Sequence, residues 1–164
     1  MFETVGLVTL EMVEKILPTL ERRKKGPYVL SECFQEIPCN PCYTACKLGG
    51  VEPFEDINNT PKINYDKCTG CALCVSACPG LACFVIDETY SEAEASLKLP
   101  YEFLPLPQVG QWVDGLDRQG NVVGNVRVIK VQNQKGLDHT SVITVAVPKE
   151  KLLIVRNIRL GGAE

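Results

Sequence analysis

The chain has 164 residues, 45% apolar and 23% charged, which suits one ordinary domain or two small ones with a modest core. A net charge of −3 argues against nucleic acid as a main partner, because phosphate binding needs a basic surface. The longest apolar run, "SVITVAVP", is strand-length and ends in proline, so no membrane span is expected; Glu3 and Glu11 stand where an export signal would be basic, so a cytoplasmic protein is expected.

Residues 1–26 read as an N-terminal helix. Thr9 is its expected N-cap, and Leu10, Val13, Ile16, Leu17 and Leu20 follow helical spacing. Gly26-Pro27 is a stop signal, and Pro18 predicts a kink or two short helices. The basic run "ERRKK", Glu21 to Lys25, is expected to be a solvated last turn that complements the helix dipole.

Residues 27–90 hold all nine cysteines. Without an export signal disulfides are disfavoured, and this many thiols then point to metal or cluster ligation. "CTGCALCVSACPG" places Cys68, Cys71, Cys74 and Cys78 before Pro79 in the pattern C-x2-C-x2-C-x3-C-P, the spacing of a [4Fe–4S] site. Two-residue gaps let a tight loop wrap three thiolates around one face of the cube. Thr69, Gly70 and Ala72 keep bulk away and leave N–H groups for the sulfurs. A zinc ribbon would want two well-separated C-x2-C pairs. Upstream, "CFQEIPCNPCYTAC" contains Cys33, Cys39, Cys42 and Cys46; the last three repeat the x2 and x3 gaps, and Cys33 precedes them by a gap of five. The flanks also repeat. "PYVLSEC" and "PKINYDKC" lead into the runs as short strands, and "GGVEPF" and "LACFVID" follow as return strands.

On these residues the segment 27–90 resembles a two-cluster bacterial-type ferredoxin. The resemblance implies that the fourth cysteine of each run serves the other run's cluster. One [4Fe–4S] cluster would then be held by Cys33, Cys39, Cys42 and Cys78, and a second by Cys68, Cys71, Cys74 and Cys46. The long gap after Cys33 and Lys47 in place of the usual proline are departures. Cys83 is expected to be a small buried hydrophobe in a strand. Phe34, Tyr43, Tyr65 and Phe84 are expected to pack against cluster faces, and His139 to lie on the surface.

Residues 91–104, with "DETYSEAEASLKLP" across the boundary, read as a short acidic helix or linker. Residues 105–164 read as a small all-β domain. "GQWVDGL", "NVVGNVRVIKVQN", "TSVITVAVP" and "KLLIVRNIRL" are its strands, "DRQGN" and "NQKGLD" its turns, and Trp112 belongs to its core or an interface. The expected architecture is α+β: a ferredoxin-like two-cluster module with an N-terminal helix and a C-terminal small antiparallel β barrel or sandwich.

No nucleophile or acid–base pair is evident, so the expected role is electron transfer by a non-catalytic subunit. The extra residues beyond the module suggest docking surfaces, hence a hetero-oligomer. The layout also resembles the ferredoxin-type small subunits of multi-subunit flavin-dependent amine and amino-acid dehydrogenases, which implies a flavin-containing partner carrying FAD or FMN. The alternatives are a free-standing soluble ferredoxin, excluded by tight association with a flavoprotein, and a redox sensor or scaffold whose clusters alter binding when oxidised.

Overall fold

The helix expected over 1–26, with a kink or a division in two at Pro18, is broken into three. The computed structural model describes residues 2–161, so Met1 and residues 162–164, which end the first and last expected segments, lie outside it. Helices α1 (Phe2–Val5), α2 (Leu10–Glu14) and α3 (Leu20–Arg23) are each about one turn long. Thr9 caps α2, its Oγ1 accepting from the Met12 N–H at 3.4 Å, and Thr19 caps α3 through the Arg22 N–H at 3.3 Å. Between them Pro18 disfavours the helical region for Leu17, so the chain must restart.

Strand β1 (Tyr28–Ser31) follows, then helices α4 (Pro41–Ala45) and α5 (Leu73–Ala77) within the cysteine loops, then β2 (Cys83–Asp87) and β3 (Glu94–Tyr101). Strands β4 (Trp112–Leu116), β5 (Val122–Gln132), β6 (Ser141–Pro148) and β7 (Asn157–Arg159) complete one seven-stranded antiparallel sheet, ordered β1-β2-β3-β6-β5-β4-β7. This corrects two expectations. The segment read as an acidic helix or linker contains β3, paired with β2 and along its whole length with β6. Ala95, Leu97 and Leu99 are fully buried at a period of two, and that pattern prevails over the helix propensity of alanine and leucine. Nor is there a closed barrel or sandwich, because one open sheet runs from β1 to β7.

"KLLIVRNIRL" is likewise a strand only at its end. Lys149–Lys151 form a 3₁₀ turn, and the Ile154 and Val155 N–H groups bond to Lys151 O at 2.9 and 3.0 Å. Leu152 and Val155 are buried three residues apart, a helical spacing that a short apolar run does not distinguish from a strand.

Strand alternation divides the interior in two. Tyr28, Leu30, Phe84 and Ile86 face the main core, with Leu97, Leu99, Ile143, Val145, Val126, Val155 and Val13 of α2. Val29, Cys83 and Val85 face the other way, onto Ala72, Cys74 and Val75 of the second cysteine loop. The register of β1 on β2 (Val29 opposite Val85, Leu30 opposite Phe84) keeps the two sets apart.

The ends of the sheet meet through charge rather than through a ladder. Glu32, directly after β1 and 8% exposed, accepts from Arg118 Nε and Nη2 (2.8 and 2.6 Å) and from Arg156 Nε (2.6 Å). Burial pushes the Glu32 carboxyl up, but the two guanidinium groups outweigh it and hold it below the usual carboxylate range. The arginines also donate to carbonyls, Arg118 to Leu153 O and Arg156 to Leu152 O, so the group links β1 to the turn before β7. Truncation should therefore be costly. Glu32→Ala leaves two guanidinium groups without their carboxylate and is expected to destabilise the protein by about 3–5 kcal/mol in urea unfolding. Arg159→Ala removes only the exposed pair with Asp114 and should cost less than about 1 kcal/mol.

Candidate metal centre

The two cysteine runs fold as approximate copies. Cys42 is the second residue of α4 and Cys74 the second of α5; Cys46 and Cys78 are the C-caps, both in extended conformation. Four residues beyond each C-cap a backbone N–H turns back onto the sulfur: Gly50 N–H to Cys46 Sγ at 3.2 Å and Ala82 N–H to Cys78 Sγ at 3.4 Å. The leading segment of each run pairs with the return segment of the other. For the first this is the β1–β2 ladder, and for the second a single antiparallel bridge between Val51 and Ile63. The strands expected at "GGVEPF" and "PKINYDKC" are reduced to that bridge.

This crossed pairing brings cysteines of both runs together. A cavity of about 250 Å³ is lined by Cys68, Cys71 and Cys74 of the second run and by Cys46 of the first. On the other side Cys33 is near enough to Cys78 and Cys39 to interact electrostatically, and Cys42 to Cys78, Cys74 and Cys33. Among the described residues no three such side chains converge as they would on a single metal ion. The four sulfurs of the first group surround a space instead.

The loop around that space is curled by left-handed residues, Gly70 at φ 67° and Ala72 at φ 71°. Backbone N–H groups from outside the loop reach its sulfurs, an arrangement suited to thiolate. Val29 N–H of β1 adds a bond to Cys68 Sγ at 3.4 Å, and Val51 N–H one to Cys46 Sγ at 3.4 Å. Small residues are needed where the runs touch: a Cβ at Gly50 would lie 3.1 Å from Cys68 Cα, and one at Gly70 would lie 2.6 Å from Pro27 Cβ. Donor set, sulfur-directed amides and enclosed space together fit a thiolate-bound cluster.

Comparison with known proteins gives the module its class. Residues 28–79 match the family described as a 4Fe-4S dicluster domain. Over 43 residues, 26% of the chain, the protein is 42% identical to pyruvate synthase subunit PorD of Methanocaldococcus jannaschii, covering 48% of that protein. Over 126 residues, 74% of the chain, it is 30% identical to a subunit of selenate reductase from Mesobacillus selenatarsenatis, covering 40% of it. The chain thus spans less than half the length of these curated relatives. No solved structure matches it significantly. An iron–sulfur, ferredoxin-like domain therefore occupies the segment where the cysteine runs lie.

Thiol chemistry varies around the iron–sulfur domain. Burial pushes Cys33 up and Cys42 up to about 11, and neighbouring Cys78 adds to both. Contact with the Cys83 thiol instead holds Cys74 below the ordinary range and Cys78 down to about 6, where the Ala82 and Gly80 amides help. Cys83, 2% exposed, is buried as expected, yet it is more than a filler because it touches a cysteine of each group. Ligation releases whatever protons remain, so loading is favoured as pH rises.

The aromatic residues have ring and guanidinium partners of their own. Phe34 packs edge-on against Phe2, Tyr43 against Phe54 and Tyr65 against Tyr28, while Phe84 lies under the Arg156 guanidinium at 5.1 Å. None lines the Cys46/Cys68/Cys71/Cys74 cavity. Trp112 is 60% exposed, which rules out the core position of the two expected and is compatible with an interface, and His139 is exposed as expected.

Arg22 is the residue that sequence reasoning missed. It belongs to the basic run expected to be solvated, but its guanidinium is half-buried and donates to four carbonyls: Tyr65 at 2.7 Å, Gly26 at 3.1 Å, and Pro27 and Cys68 at 2.8 Å each. It thereby clamps the second cysteine loop to the start of β1. Arg23 is also taken up internally, pairing with Glu88 at 2.8 Å. No periodicity signals such contacts, since they join residues more than forty positions apart. Lysine has a point charge and no fork, so Arg22→Lys is expected to lose most of the iron held by the second loop, as is Gly70→Ala, while exposed Lys24→Gln keeps it. Iron and acid-labile sulfide per chain after anaerobic purification measure the difference.

Proposed function

We propose that the chain is an electron-transfer subunit of a larger oxidoreductase and carries two [4Fe–4S] clusters. Cys33, Cys39, Cys42 and Cys78 hold one; Cys68, Cys71, Cys74 and Cys46 hold the other. The observation that carries this reading is the crossing of the runs, in which Cys46 lines the second run's cavity and Cys78 neighbours the first run's thiols. Clusters of this type supply one-electron transfer when bound. The protein's own part is to hold the thiolates in place, to aim the Val29, Gly50, Val51 and Ala82 amides at their sulfurs, and to exclude water with Val29, Val75 and Val85. Amide bonds to ligand sulfur favour the more negative, reduced state and so raise the potential.

The partner is a second oxidoreductase subunit. Two relatives named as subunits of pyruvate synthase and selenate reductase support the hetero-oligomer, and they widen the choice of partner beyond the flavin-bearing dehydrogenase with FAD or FMN that the sequence suggested. That flavoprotein remains one version of the proposal, and a reducing, cytoplasmic setting for the thiols goes with it. Among the described residues no helix is long and apolar enough to cross a membrane.

Two variants test the ligand assignment. The wild type is expected to hold about eight irons per chain, four for each cube, with a spin-coupled EPR spectrum on reduction. Cys46→Ala should damage the cluster built on the Cys68 run, and Cys78→Ala the one built on the Cys33 run, whereas Cys83→Ala keeps the full iron content. Damage confined in each variant to the mutated run's own cluster would overturn the crossed assignment.

A further inference from the structure

Of the nine cysteines, all within the described residues, only Cys71 is exposed. Of the four cysteines that line the shared cavity, Cys46, Cys68, Cys71 and Cys74, it is the one open to solvent. The charged side chains that line the cavity are of one sign. Lys47 and Lys67, both exposed, line the cavity, and no aspartate or glutamate does. Lys98 reaches over from β3, its Nζ donating to Gly70 O at 3.0 Å in the loop that bears Cys71.

A fourth lysine stands behind it. Lys98 on β3 and Lys130 on β5 are both opposite Thr144 on β6, so the three residues form one row across the sheet. The backbone positions of the two lysines are two strand spacings apart, roughly 10 Å. Like charges in a row oppose folding slightly and contribute nothing to the core. Their mutual repulsion joins burial in lowering the Lys98 pKa. Carboxylates lie beside this edge, but none lines the cavity. Asp87 accepts from the Thr89 N–H and hydroxyl at 2.9 and 2.6 Å and faces Lys98, and Glu52 and Glu55 line an adjoining cleft that Lys62 and Lys67 border. Asp66 precedes Lys67 and is exposed, so the excess of lysine is that of the cavity lining itself.

We propose that the Cys71 edge, ringed by Lys47, Lys67 and Lys98 with Lys130 behind, is the docking port for an acidic electron-transfer partner. The partner is a protein surface with clustered carboxylates around its own redox centre. This rests on the electron-transfer reading above and adds to it the place of contact and the sign of the surface that fits. Through this port one electron leaves a reduced cluster for a one-electron oxidant, or enters from a one-electron reductant, with no bond made or broken. Lysines that merely balance the charge of a thiolate-bound cluster would change its potential, but they would not make the port discriminate between oxidants by charge.

The test uses the dithionite-reduced full-length holoprotein in anaerobic stopped-flow. It is mixed with hexacyanoferrate(III), an anion, or hexaammineruthenium(III), a cation, and each oxidant is compared only with itself. The anion's rate should fall with added salt, and Lys47→Gln/Lys67→Gln should lower it by about tenfold while the cation's rate holds or rises. Poly-L-glutamate should slow the wild type's reaction with the anion and leave the double variant unaffected. Lys15→Gln/Lys25→Gln, which alters exposed pairs on the N-terminal helices, should react like the wild type. Rates that ignore the double substitution, or that fall equally for both oxidants, overturn the port while leaving the electron-transfer reading intact. A chain that purifies with neither iron nor visible absorbance overturns both.

Discussion

The constraint on which the rest of the molecule depends is the two-sidedness of the β1–β2 pair. Four consecutive residues, Tyr28 to Ser31, are all buried because they face two different interiors. One side belongs to the sheet's apolar core; the other, through Val29, Val85 and Cys83, is the wall against which the cysteine loops rest. These loops have little hydrophobic substance of their own, and their two helices are barely a turn long. Isolated helices of that length do not persist in water. The loops hold their shape because a rigid sheet lies beneath them and because backbone N–H groups of Val29, Gly50, Val51 and Ala82 bond to the cysteine sulfurs.

Arginine performs the tasks that packing leaves undone. Arg22 satisfies carbonyls that the irregular loop would otherwise leave unpaired, including that of Cys68 itself. Arg118 and Arg156 converge on Glu32 where the outer strands approach without pairing. Each case uses the planar fork of the guanidinium, with several donors in fixed directions, to join segments distant in sequence. The N-terminal turns belong to the same scheme: Arg22 comes from α3, and Tyr65 of the second loop donates to Ile16 O at 2.7 Å. A segment that reads as an appendage thus serves as a brace for the metal centre.

What could be read from the sequence follows from how local the signal is. The C-x2-C-x2-C-x3-C-P run and the x2 and x3 gaps of its partner announce themselves because ligand spacing is set within a single loop. The strands rich in β-branched residues and bounded by turn signals, β4, β5 and β6, are visible for the same reason, as are the cap at Thr9 and the stop at Gly26. Ser96 and Lys98 were not read as strand residues because alanine, leucine and glutamate around them favour helix, and only the neighbouring β6 decides otherwise. The open sheet in place of a barrel, the Arg22 clamp and the contact of Cys83 with both cysteine groups all depend on tertiary placement. A single sequence carries no local trace of them.

The ladder between β2 and β3 also bears on how the protein can be divided. Residues 27–90 look like a portable unit, with every cysteine inside and a polar stretch after it. Yet Val85, Ile86 and Asp87 are paired with Lys98, Leu97 and Ser96, and the far face of β1 and β2 is covered by the core that the later strands build. A chain ended near residue 90 would keep its thiols but bare an apolar sheet face and an unpaired strand edge, the features that lead strands to associate with copies of themselves. The redox module is continuous with the scaffold that carries it, so evolution or engineering can exchange its loops far more easily than it can detach the module.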